Sequence, residues 1–163
     1  MYANAKIPAH QTSGTIRKMV DGNVGNKSTK FVFTINLSNS ERSVDGFYDA
    51  EGAVEGTITI NNGYASFTLS SGDYVTIKRL PKGTVVKITE LGAEDYITVN
   101  DSGNSSADGK TAEFTLYENK DVTFTNTRNG ILPTGVNANF KIAVIAGILC
   151  LLGIFILIVK RQI

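Results

Sequence analysis

Between Gly14 and Thr127 the apolar residues recur with a period of two. That pattern excludes a helical body, because successive strand residues face opposite sides of a sheet whereas a helix repeats every 3.6 residues. In Gly14–Val20, Ile16, Lys18 and Val20 alternate against Thr15, Arg17 and Met19. Phe31, Phe33, Ile35 and Leu37 share one face of the next strand. Further strands are expected at 57–60, 65–69, 74–78, 84–90, 96–100, 111–116 and 121–127. Asn62-Gly63 separates the first two of these, and both residue types tolerate positive φ, so the pair forms a hairpin. Segments 38–56 and 100–110 read as a polar insertion and a loop. Eight or nine short strands with frequent turns imply an all-β fold, an antiparallel β-sandwich over residues 14–128.

The C-terminal part obeys a different rule. Ile142–Val159 is 18 residues without a charge. With Phe140 and its neighbours it is long enough to cross a bilayer core of roughly 30 Å, so 140–159 reads as a transmembrane helix. Lys160 and Arg161 follow, in a basic tail at 160–163 that favours the cytoplasmic side and puts the body outside. Lys141 on the other flank reduces that contrast. Residues 1–13 form a polar leader without the apolar run of a signal peptide. An exported body needs such a signal, so the chain is expected to be the C-terminal part of a longer protein, or to have an earlier start.

Composition narrows the chemistry. Residues 1–139 carry 13 basic and 15 acidic side chains, a slightly acidic balance that argues against nucleic acid as a partner. A single Cys (Cys150) excludes an internal disulfide, and a single His (His10) leaves little for a Ser-His-Asp or Cys-His mechanism. No cofactor or metal is expected; Asp101 and Asp108 belong to a polar loop.

Three polar residues fall in phase with core positions. Lys18 lies between Ile16 and Val20, Glu90 continues Val86 and Ile88, and Asn126 continues Val122 and Phe124. If the apolar residues set the register, all three point inward. Strand-end Lys and Glu commonly curve out to solvent, and Asn commonly ends a strand. Buried together, they could react. Desolvation lowers the pKa of Lys and raises that of Glu. A neutral Lys18 amine could then attack the Asn126 carboxamide with Glu90 as acid, losing ammonia and leaving an isopeptide bond.

FTLSSGDYVTIKRLPKGTVVKITE (67–90), VTFTNTR (122–128) and TIRKMVDGNVGNKSTKFVFTINL (15–37) together resemble the C-terminal domain of Gram-positive major pilins and the wider group of B-type adhesin repeats. The resemblance covers residues 14 to 135 and implies an immunoglobulin-like sandwich. It also implies a bond between a first-strand Lys and a last-strand Asn, assisted by a Glu, which correspond to Lys18, Asn126 and Glu90. Arg17 falls on the opposite face.

Within the 129–139 linker, Ile131-Leu132-Pro133-Thr134-Gly135 resembles a sortase sorting signal. The common form has one more residue between Pro and Thr; this chain is closer to the pilin-type variant. The resemblance implies cleavage between Thr134 and Gly135. It also implies sortase as a partner, a membrane-inserted precursor, and attachment to peptidoglycan or other pilin subunits on a Gram-positive cell surface. Two roles follow: a structural pilin or adhesin module, or a ligand-binding sandwich held by its membrane helix without covalent chemistry. Neither names a host ligand, and neither implies an enzyme beyond a single-turnover self-reaction.

Overall fold

The computed structural model describes residues 11–130. The expected sorting motif at 131–135, the expected transmembrane segment 140–159 and Lys160-Arg161 lie outside the described residues. Ten strands form two facing sheets. They are β1 (Gln11–Asp21), β2 (Phe31–Ser38), β3 (Gly46–Gly52), β4 (Gly56–Ile60), β5 (Tyr64–Leu69), β6 (Tyr74–Pro81), β7 (Thr84–Leu91), β8 (Ile97–Asn100), β9 (Thr111–Leu116) and β10 (Lys120–Thr127). One sheet has the order β4-β3-β6-β1-β10-β8, the other β5-β2-β7-β9. No helix among the described residues is long and apolar enough to cross a membrane.

Alternation explains most of these elements. In β2, Phe31, Phe33, Ile35 and Leu37 are buried and the residues between them are not. Phe33 stacks on Phe67 and meets Phe124 edge-on, with ring centroids 6.1 and 5.3 Å apart. These rings join strands of both sheets, so they form the centre of the core. At the β4–β5 turn Asn62 and Gly63 have φ of 50° and 73°, the signature of a type I′ hairpin. A side chain at Gly63 would also strike the Leu37 carbonyl oxygen.

Two features differ from the sequence expectation. Residues 38–56 are not wholly an insertion, because β3 lies within them and pairs with both β4 and β6. Only Ala50 is buried in β3, while Phe47 projects outward; this weak alternation hid the strand. The sandwich is also not wholly antiparallel. β1 and β10 pair in parallel, with Gly14 opposite Lys120 and Asp21 opposite Thr127. The chain therefore enters at one pole of the sheet and leaves at the other. β1 begins at Gln11, three residues before the apolar alternation becomes visible.

Phe33→Ala should lower the unfolding free energy by about 3–5 kcal/mol. Phe47→Ala, at a position 79% exposed, should change it by less than about 0.5 kcal/mol. Urea unfolding of the two variants compares them directly.

Candidate functional site

β1 and β10 are adjacent, and Lys18 sits opposite Phe124 while Val20 sits opposite Asn126. Lys18 and Asn126 thus occupy diagonal positions on the inner face of one sheet. Glu90 comes from β7 of the facing sheet, opposite Phe33 on β2. Lys18 and Asn126 are fully buried and Glu90 is 1% exposed.

The three meet at one carboxylate oxygen. Lys18 Nζ lies 3.1 Å from Glu90 Oε1, and Asn126 Nδ2 donates to the same atom at 2.9 Å. Lys18 Nζ also donates to the Phe124 carbonyl at 3.2 Å and stands 4.8 Å from the centre of the Phe31 ring. Phe31 in turn meets Tyr96 edge-on. The Phe31 ring, backed by Tyr96, thus covers the Lys18 side of the cluster. Two of its atoms, Glu90 Oε2 and Asn126 Oδ1, are buried without a hydrogen-bond partner.

Burial dominates the electrostatics. Desolvation pulls the Lys18 amine below its ordinary pKa, against the opposing pull of Glu90. It pushes the Glu90 carboxyl above its ordinary value, against Lys18 and the Asn126 hydrogen bond. Both shifts favour the uncharged forms. A proton moved from Lys18 to Glu90 produces a neutral amine beside a carboxylic acid, and the acid's Oε1 holds the carboxamide through Nδ2.

The neighbouring cation is arranged differently. Arg17 points away from the core and pairs with Asp121 at 3.1 Å, both side chains well exposed. Asp101 accepts from the Thr123 amide and Asp108 from Ser106 and the Lys110 amide. Among the described residues no cluster of His, Cys, Asp or Glu is arranged to hold a metal.

One neighbour of the cluster escaped sequence reasoning. Thr98 on β8 is 5% exposed and lies directly opposite Asn126. Its strand is inverted relative to its apolar pattern, since Ile97 and Val99 are 73% and 56% exposed. An apolar-in rule would therefore have turned Thr98 outward.

A family described as a domain of unknown function (DUF7601) matches residues 15–128. The chain belongs to this family. The pilus tip adhesin Cpa of Streptococcus pyogenes is 35% identical over 127 residues, which cover 77% of this chain and 18% of that protein. A solved structure of the pilus-presented adhesin Cpa superimposes with a TM-score of 0.66 at 22% identity, covering 74% of this chain and 27% of that one. The T-13 major pilin of Streptococcus pyogenes superimposes with a TM-score of 0.57 at 26% identity, covering 73% and 45%. Over its described residues the chain is thus similar to single domains of these Gram-positive pilus proteins, and it spans less than half the length of each of them.

The uncompensated acid should reveal itself by pH. In a Lys18→Met variant the Glu90 carboxyl keeps its desolvation and loses its cation. A raised folded-state pKa means that the folded chain holds a proton the unfolded chain releases. Stability is then present below the ordinary carboxyl pKa of 4.5 and is lost as pH rises from there through the folded value. The slope reaches at most about 1.4 kcal/mol per pH unit. Thermal melts of this variant from pH 4 to about 7 should show a falling midpoint.

Proposed function

We propose that this chain is a structural module of a pilus or wall-anchored adhesin, closed on itself by an isopeptide bond between Lys18 and Asn126. The observation that carries the proposal is the convergence of a buried amine, acid and carboxamide on Glu90 Oε1. A ligand-binding sandwich without covalent chemistry would leave this costly burial without a role.

The reaction needs only what the cluster holds. Glu90 takes the Lys18 proton, and the freed Nζ lone pair adds to Cγ of Asn126. Glu90 returns its proton to Nδ2, the Cγ–Nδ2 bond breaks, Nδ2 leaves as ammonia, and the newly bonded Nζ gives its second proton to Glu90. One C–N bond forms, one breaks, and no oxidant or reductant enters the balance. Fixed proximity in a dry core supplies the activation a separate catalyst would otherwise provide. The event happens once per molecule, so the chain is not a turnover enzyme.

The mechanical consequence follows from the parallel strands. Tension between Gln11 and Gly130 pulls β1 and β10 toward opposite poles. A Lys18–Asn126 bond would carry that tension from β1 directly into β10, and residues 19–125 could not extend. Closing a loop of about 100 residues would also stabilise the fold by roughly 4–5 kcal/mol, by analogy with disulfides.

On this reading residues 131–135 act as the sorting signal. Sortase cleaves between Thr134 and Gly135 and transfers the Thr134 carboxyl to peptidoglycan or another pilin subunit. Residues 140–159 hold the precursor in the membrane until then, with Lys160 and Arg161 on the cytoplasmic side. The support is the order of the parts in the sequence: an Ile-Leu-Pro-Thr-Gly motif, a charge-free apolar run, and a basic end.

Intact mass tests the bond. The folded chain should weigh about 17 Da less than its sequence, one ammonia, and Glu90→Ala should restore the full mass. An undiminished parent mass would refute the cross-link. In a sortase-bearing host, Thr134→Ala should abolish wall attachment and leave the protein in the membrane fraction; unchanged attachment would remove the motif's assigned role.

A further inference from the structure

We infer that the Thr98 hydroxyl is a second stabilising group for the self-reaction, donating to Asn126 Oδ1 as that oxygen gains negative charge. The inference rests on the isopeptide reading and adds a residue to it.

Four buried side-chain atoms lack a hydrogen-bond partner among the described residues: Gln11 Oε1, Glu90 Oε2, Thr98 Oγ1 and Asn126 Oδ1. Two of them belong to the reacting cluster, and a third, Thr98 Oγ1, sits beside it. Thr98 and Asn126 are directly opposed on the antiparallel pair β8–β10. Opposed residues project to the same face, with Cβ atoms about 4.5–5.5 Å apart. The two atoms are not hydrogen-bonded to each other in the unreacted cluster; their opposed positions put the hydroxyl near enough for the bond to form as the carboxamide becomes tetrahedral. Both side chains are buried, Thr98 at 5% and Asn126 at 0% exposure.

The placement is costly in two ways. A buried hydroxyl without a partner loses its hydration and gains nothing. Turning Thr98 inward also leaves Ile97 and Val99 exposed, although reversing the strand's faces would bury both. A packing role alone would be served as well by a valine.

The reaction supplies the missing partner. When Lys18 Nζ adds to Cγ, the carbonyl becomes tetrahedral and Oδ1 takes up the displaced electron pair. Glu90 approaches from the facing sheet, while Thr98 approaches from within the same sheet. A preplaced donor aimed at a developing oxyanion stabilises the transition state more than the ground state. The hydroxyl keeps its proton throughout and returns to its original state when ammonia has left.

The test compares side chains that differ by one oxygen. The full-length chain and its Thr98→Ser, Thr98→Ala and Thr98→Val variants are made by cell-free translation. Synthesis is stopped, and intact mass is followed with time. The Ala and Val variants should lose ammonia about 100-fold more slowly than the parent. The Ser variant, which keeps the hydroxyl but lacks the methyl group, should stay within about threefold of the parent. A Ser variant as slow as Ala, or an Ala variant as fast as Ser, overturns the assignment, because the hydroxyl would then make no difference. If the parent loses ammonia in either case, the Lys18–Asn126 reading stands and only the role of Thr98 falls. A parent that retains its full mass overturns both.

Discussion

Everything distinctive about this domain depends on taking an amine and a carboxyl out of water together. Lys18 and Glu90 meet within 3.1 Å at essentially zero exposure, beside the Phe31 ring and at register positions opposite Phe124 and Phe33. An ionised pair at such a depth gains attraction and loses hydration, and the loss is commonly the larger. Desolvation here drives both groups toward their uncharged forms. What would be a weak structural ion pair is thereby set up as a nucleophile beside an acid. The third member, Asn126, brings the carboxamide that the proposed reaction needs, and its Oδ1 and Glu90 Oε2 are buried without hydrogen-bond partners.

Topology turns that chemistry toward mechanics. Because β1 and β10 lie side by side in parallel, the first and last strands of the domain adjoin although their free ends lie at opposite poles. An antiparallel pairing would have brought those ends to the same pole, where tension would peel the strands apart one bond at a time. The parallel arrangement loads them in shear, and Lys18 and Asn126 sit on the face where a covalent tie would intercept the force. The relatives found, a pilus tip adhesin and a major pilin, are proteins for which such a geometry makes sense.

Legibility in the sequence followed the strength of alternation. β2 and the β4–β5 hairpin were readable because their apolar residues strictly alternate or flank Asn62-Gly63. The cluster was readable for the same reason: Lys18, Glu90 and Asn126 each interrupt an otherwise apolar face, and the register carries them inward. β3 was not readable, since Phe47 faces solvent and only Ala50 is buried. Thr98 was hidden by a stronger effect. On β8 the apolar residues face out and the hydroxyl faces in, so the usual rule points the wrong way. The parallel β1–β10 pairing has no local signature at all, because it is set by contacts between residues more than a hundred positions apart.

The central claim is that the first and last strands are one covalent unit. Proteolysis of the unfolded chain followed by tandem mass spectrometry tests it most directly. The account predicts a single branched peptide in which the segment around Lys18 is joined through its side chain to the segment around Asn126, with Lys18 resistant to trypsin. Two separate linear peptides, cleaved after Lys18 and carrying an intact Asn126 carboxamide, would contradict it.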